Sequence, residues 1–169
     1  MLRALPRIWK HRWLDSRAAG RALPPQALAR LAALVAQSEA THTGEIRIAI
    51  ESGLPLSYLR RDASPRERAI ALFGKLRVWD TEDNNGVLIY LLLAEHAIEV
   101  VADRGLNTAL PVDFWQQLLV RLRPVLAAQQ YETALAAAIA ALSAALTQHF
   151  PAEPGLRRSN ALPDAPVLL

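Results

Sequence analysis

Asp80, Glu82, Asp83, Asn84 and Asn85 stand within six consecutive positions, directly before Gly86. Carboxylate and carboxamide oxygens at this density, on a backbone that a glycine lets turn sharply, suit a hard cation such as Ca²⁺, with Mg²⁺ or Mn²⁺ as alternatives. The spacing is not that of an EF-hand. The same residues also serve as a solvated turn, in which Asp and Asn satisfy backbone groups and tolerate left-handed conformations. Asp103 is a sixth candidate oxygen donor; its other reading is as the partner of Arg104 or of a helix N-terminus.

Other chemistries are poorly supplied. The chain has no cysteine, which excludes disulfides, thiolate metal sites and cysteine nucleophiles. His11, His42, His96 and His149 are scattered without metal-ligand spacing, and no serine lies in a G-x-S-x-G elbow. There is no glycine-rich phosphate cradle. Hydrolysis of a phosphate monoester would therefore need a bound metal to polarise the phosphoryl group and activate water, with Arg104 neutralising its oxygens. No organic cofactor is expected.

The positioning elements follow from apolar patterning. Val87 to Leu93 is continuously apolar, as in a strand buried on both faces, and is bounded by Asn84, Asn85 and Gly86. Ala97 to Ala102 follows after almost no linker, which predicts an antiparallel hairpin. With Glu95 and His96 as a two-residue turn, Ala94 faces Ala97, Leu88 faces Asp103 and Gly86 faces Gly105. The loop from Asp80 to Asn85 and the corner at Asp103 and Arg104 then share one end of the hairpin.

Before the hairpin, a helix with Leu28, Leu31, Leu34 and Val35 on one side starts after Pro24 and Pro25. Ile46, Ile48 and Ile50 alternate with charged residues, as in a strand with one wet face, nearer a sheet edge than the second strand. Ser64, Pro65 and Glu67 form a capping box for a second helix, with Ala69, Ile70, Phe73 and Leu76 inward. The strand, helix, strand order predicts a right-handed crossover and a parallel pair. Pro111 and Asp113 open a third helix, kinked or ended near Pro124. An alanine-rich fourth spans Tyr131 to Phe150, with Leu135, Ala138, Ile139, Leu142 and Leu146 inward.

Thr43, Gly44 and Glu45 before the first strand, Asp83 to Leu88 at the second, and Arg104, Gly105 and Leu106 after the third resemble the TPM domain, over roughly Pro25 to Pro151. Founding members of that family include thylakoid-lumen and photosystem-repair proteins. The resemblance implies an α/β fold, a small mixed sheet of a parallel crossover plus an antiparallel hairpin, flanked by about four helices. It also implies the activities associated with such domains: acid phosphatase activity, divalent-cation binding, and protein repair or regulation.

The 169 residues are the size of one domain with tails, divided here into an arm (1–23), an α/β domain (24–151) and a proline-containing tail without a periodic stripe (152–169), expected to be disordered or loosely attached. The arm carries six basic residues against the single acid Asp15, and the remainder is slightly acidic, which argues against nucleic acid as a partner. Trp9 and Trp13, with Arg3, Arg7 and Lys10 mostly on the other side, make the arm an amphipathic helix. It either packs its tryptophans on its own domain or docks on an anionic membrane surface or a protein. No apolar run has transmembrane length and no signal peptide is evident, so the expectation is a bacterial-type cytoplasmic protein with at most peripheral membrane contact. The functional expectation is a binding or regulatory module for an unidentified protein partner, using a divalent cation at Asp80 to Asn85 and Asp103. Its rivals are a metal-dependent phosphatase at the same end of the hairpin and a membrane-surface adaptor acting through the arm.

Overall fold

The computed structural model describes Arg7, Trp9, His11 and residues 18–152 and 162–169. Its centre is a mixed four-stranded sheet of β1 (Ile46–Glu51), β2 (Val87–Leu92), β3 (Ala97–Ala102) and β4 (Val167–Leu168), ordered β3-β2-β1-β4. β1 and β2 are parallel, and β2 and β3 antiparallel, as the element order predicts.

Alternation along the strands divides the core between two faces. Ile46, Ile48, Ile50, Val87, Ile89, Leu91, Ile98 and Val100 point to one side. They are covered there by α1 (Ala18–Ala22), α2 (Pro25–Glu39), α5 (Arg104–Ala109), α6 (Val112–Ala127) and α7 (Tyr131–His149). The opposite face presents Ala49, Leu88, Tyr90, Leu92 and Val101 to α3 (Leu56–Arg60) and α4 (Pro65–Lys75). Ser64 caps α4 with both halves of the capping box formed, so this terminus is fixed by residues within one turn of each other. The small residues Ala134 and Ala138 of α7 are fully buried.

Several expectations need correction. The hairpin does not close on a two-residue turn. Leu93–Glu95 form a 3-10 turn ended by His96 in the left-handed conformation, with φ 48°. Leu92 therefore faces Ala97, Leu88 faces Val101, and the Asp103 amide donates to the Gly86 carbonyl at 2.9 Å. The register differs from the expected one by an even step, so every side chain keeps its face.

β1 is not half wet, since all six residues are buried, and it is not itself the edge, since β4 lies outside it against Ala49 and Ile50. The tail is the reason. Leu162 is buried in the core, and Val167 and Leu168 pair in parallel with Ala49 and Ile50. Arg47 lies beneath this segment, its guanidinium donating to the Pro163 and Ala165 carbonyls at 2.5 Å each. Residues 162–169 are thus a built part of the sheet rather than a loose tail.

On α4, Ala69 and Leu72 are the buried positions while Ile70 is 53% exposed, a shift of the apolar stripe that follows from how the helix lies on β2 and β3. α6 continues past Pro124 to Ala127. The Arg104-Gly105-Leu106 corner is the first turn of α5, which apolar patterning did not reveal.

Candidate functional site

The acid loop is held between the start of β1 and the start of α5. Thr43, just before β1, is its anchor: the hydroxyl donates to Asp83 Oδ2 at 2.8 Å and accepts from Asn85 Nδ2 at 2.9 Å. Thr81 turns the loop back, its carbonyl accepting from the Asn84 amide at 3.3 Å and its hydroxyl from the Asn85 amide at 3.1 Å. Asn84 takes φ 51°, a conformation asparagine tolerates better than most residues. Its carbonyl accepts from the Gly105 amide at 2.8 Å, and its Oδ1 from the Arg104 guanidinium at 3.2 Å.

Gly105 makes this approach possible. A Cβ there would lie 2.6 Å from the Asp83 carbonyl oxygen and 2.7 Å from that of Asn84. Gly86 is as constrained, since its Cβ would meet the Val78 carbonyl oxygen at 1.9 Å.

Of the residues singled out in the sequence, Asp83, Asn84, Asn85, Asp103 and Arg104 come together in this way. Asp80 and Glu82 do not join them. Asp80 pairs with Arg77 at 2.7 Å, both side chains exposed, and Glu82 is exposed. Among the described residues no group of three or more His, Asp or Glu side chains is assembled as a metal cluster. The oxygens at this end belong to two carboxylates, two carboxamides, two hydroxyls and main-chain carbonyls.

Two of those oxygens stand out. Asn85 is fully buried and Asp103 is 7% exposed. Asp103 stands at the N-cap of α5, and its Oδ1 accepts from the Arg104 amide of the first helical residue at 2.7 Å. Asp103 Oδ2 and Asn85 Oδ1 are both buried and have no hydrogen-bond donor among the described residues. A buried acceptor without a donor costs about 1–3 kcal/mol, more when it carries charge, so such atoms call for a ligand or a reason. Arg104 is displayed outward, its side chain 88% exposed.

The arm residues lie at the other end of the sheet. Arg7 donates to Glu95 at 2.8 Å, to Asp62 at 2.7 Å and to the Ala63 carbonyl at 2.7 Å. His11 is buried, its Nδ1 accepting from the Leu54 amide at 2.9 Å and its Nε2 lying 2.9 Å from Glu95. Gly53 admits this contact, because a Cβ there would lie 2.8 Å from the His11 carbonyl oxygen. Trp9 is 63% exposed. Arg3, Lys10 and Trp13 fall outside the described residues.

A buried polar network was missed in the sequence. Glu51, 4% exposed, accepts two hydrogen bonds from Arg68, at 2.7 and 2.9 Å, and one from the Tyr90 hydroxyl at 2.7 Å. Hydrogen bonding to Glu51 holds the Arg68 guanidinium above its ordinary pKa, and burial pushes the Tyr90 phenol far up, so it remains a donor. Tyr58 lies against Arg61 and Arg68, with its ring centre 4.6 and 5.2 Å from their guanidinium carbons. The available signal was a tyrosine in an otherwise aliphatic strand, since a buried phenol usually has a partner.

The architecture is that of a compact α/β domain in which a parallel strand pair carries an antiparallel hairpin, with the acid loop and an N-capping aspartate meeting at the hairpin's open end. Residues 19–145 match the TPM domain, and the chain belongs to that family. No curated protein matches it. Among solved structures it is similar to the NMR structure of BA42 protein from the psychrophilic bacterium Bizionia argentinensis sp. nov.. The TM-score is 0.73 at 22% sequence identity, covering 85% of this chain and 92% of that one. That likeness concerns the fold. No helix among the described residues is long and apolar enough to cross a membrane.

Proposed function

We propose that this TPM domain is a binding module that takes a divalent cation at the open end of the β2–β3 hairpin and engages a protein partner there. The observation that carries this reading is the pair of buried oxygens, Asn85 Oδ1 and Asp103 Oδ2, that meet no donor among the described residues, beside a loop fastened by Thr43 and Gly105. The all-oxygen donor set suits a hard ion such as Ca²⁺. Asp103, Asn85 and Asp83 would hold it, with main-chain carbonyls and water making up the coordination number. Asp80 and Glu82 are left out of the set, since Asp80 is paired with Arg77 and Glu82, exposed like Asp83, is not the carboxylate that Thr43 fixes at the loop. An ion at this end would neutralise the local negative charge and stiffen the loop against α5. The outward guanidinium of Arg104 would then be offered to an acidic group of the partner.

The test is a thermal melt of the full chain in chelator, then with excess Ca²⁺, Mg²⁺ or Mn²⁺, alongside Asp103→Asn. Asparagine keeps the Oδ1 that caps α5 and removes the charge. A ligand bound only by the folded state adds about 2.7 kcal/mol at a hundred times its dissociation constant. Stabilisation by one of the ions that is lost in Asp103→Asn is the expected result. The same melting point in chelator and in every ion would end the proposal. Assaying phosphate monoesters with the active ion, on both proteins, tests whether the loaded module also turns over substrate.

A further inference from the structure

Thr43 does more at the open end of the hairpin than fasten the loop. A threonine hydroxyl carries one proton and two acceptor lone pairs, whereas a carboxylate only accepts. The Thr43 proton therefore goes to Asp83 Oδ2, at 2.8 Å. What Thr43 turns towards Asn85 is then a lone pair, which only the nitrogen end of a carboxamide can answer, and Nδ2 does so at 2.9 Å. The other end of the amide, Oδ1, is thereby turned away from Thr43 into the buried space where it meets no donor among the described residues. The carboxylate on one side of Thr43 thus decides which end of Asn85 faces inward on the other.

The relay sits on a firm frame. The Thr43 amide donates to the Phe150 carbonyl at 2.8 Å, which ties it to the end of α7. The main chain of Asn85 lies close against Gly44, where a Cβ would stand 3.0 Å from the Asn85 carbonyl oxygen, and its amide reaches the Thr81 hydroxyl at 3.1 Å. Asn85 is fully buried, so water cannot take the place of Thr43 as the partner of its amide. Asp103 is equally committed, because Oδ1 is taken by the Arg104 amide at 2.7 Å and Oδ2 is left for the interior. Both residues present an oxygen, and buried oxygens without donors suit a positive charge.

We infer that Thr43 is a positioning residue of the cation site: its hydroxyl proton, given to Asp83, locks Asn85 with the carbonyl oxygen facing the ion. The inference rests on the cation reading proposed above and names the residue on which that reading depends for its amide ligand. Valine at this position matches threonine in size and has no lone pair. Nδ2 then loses its acceptor, and the carboxamide is free to turn over and put an N–H donor where the ion needs an oxygen. Serine keeps the hydroxyl and so keeps the lock. Neighbours that orient metal ligands in this way are worth about 10–100-fold in affinity.

Calorimetric titration of the full chain with Ca²⁺, Mg²⁺ and Mn²⁺ tests this on the wild type, Thr43→Val and Thr43→Ser, together with ¹H–¹⁵N spectra of the Asn85 side-chain amide in chelator. Thr43→Val is expected to weaken the ion that the wild type binds by about 10–100-fold, and Thr43→Ser to restore the affinity. The Asn85 Nδ2 proton signals, which report the hydrogen bond to Thr43, move in Thr43→Val and stay in place in Thr43→Ser. Thr43→Ala, which adds no group, replaces the valine variant if that one does not fold. Undiminished ion affinity without the hydroxyl, or a loss in Thr43→Ser as large as in Thr43→Val, overturns the positioning role and leaves the cation site standing. No ion bound by the wild type removes the cation reading, and this inference with it.

Discussion

Arg68→Met probes the buried network that joins β1, β2 and α4. The Glu51 carboxylate accepts three hydrogen bonds, two of them from Arg68, and its side chain is 6% exposed against 15% for that of Arg68. Methionine fills the arginine's aliphatic volume and removes the charge. Glu51 then keeps only the Tyr90 hydroxyl in a place where water cannot replace the guanidinium. Breaking a buried pair by removing one partner costs about 3–5 kcal/mol, whereas an exposed pair is worth about 1 kcal/mol or less. Against a total stability of roughly 5–15 kcal/mol this is a large share. At about 2–4 °C per kcal/mol for a chain of this size, the melting point falls on the order of 10 °C. Tyr90→Phe, which removes one hydrogen bond to a charged acceptor, loses about 1.5–3 kcal/mol. The double variant Glu51→Leu with Arg68→Met leaves no charge to strand, and recovers at least half of the single variant's loss. Urea unfolding followed by circular dichroism at pH 7 reads all four proteins. A loss of less than about 1 kcal/mol in Arg68→Met, or a double variant no more stable than the single, would refute the claim that this pair acts as a buried one.

Gly105→Ala drives a Cβ into the Asp83 and Asn84 carbonyls, so stability falls by about 1–3 kcal/mol and any cation-induced rise in melting point shrinks; wild-type behaviour on both counts would show that the loop does not need this contact. Burial raises the Glu39 carboxyl from its usual value near 4.5 to about 8, so the folded state holds a proton that the unfolded state has lost. Its stabilisation is present below about pH 4.5 and lost as pH rises through 8, by on the order of 2 kcal/mol after discounting for partial exposure. Burial lowers His42 to about 4, so its contribution is present above about pH 6.5 and is lost as pH falls through 4. Urea midpoints from pH 4 to 9 should therefore lose their alkaline decline in Glu39→Gln and keep their acid decline. An unchanged alkaline limb in that variant would assign it to another group.

What was legible in the sequence was what local spacing encodes. Ser64 and Glu67 lie one turn apart, so the start of α4 could be read directly. The apolar run of β2 and its pairing with the adjacent β3 were equally local. The hairpin register was missed because His96, an unmarked residue for a left-handed position, ends a 3-10 turn that a two-residue turn cannot imitate. The placement of β1 was missed because its second neighbour comes from Val167 and Leu168, far along the chain, and no periodicity in β1 announces it. At the site, the placing of Asp103 at the same end as Asn84 and Asn85 followed from the hairpin. The removal of Asp80 by Arg77 and the bridging by Thr43 depend on side-chain geometry across loops. A basic face such as that of Arg7 looks alike in sequence whether its acids are in a partner or, as with Asp62 and Glu95, elsewhere in the same chain.

The strand added by Val167 and Leu168 sets an order of events in the newborn chain. Arg47 and the carbonyl of Pro163 that it meets are 116 residues apart. A ribosome adding about 5–20 residues per second leaves roughly 6–23 s between them. Once β2 has been made, β1 can find it well before Pro163 is added, yet its other edge is bare, and a bare apolar edge recruits neighbouring nascent chains. Arg47, second in that strand, counters this, because a second β1 laid against it would bury a guanidinium without an acceptor. The residue that later clasps the tail thus serves first as the sentry of an unfinished sheet.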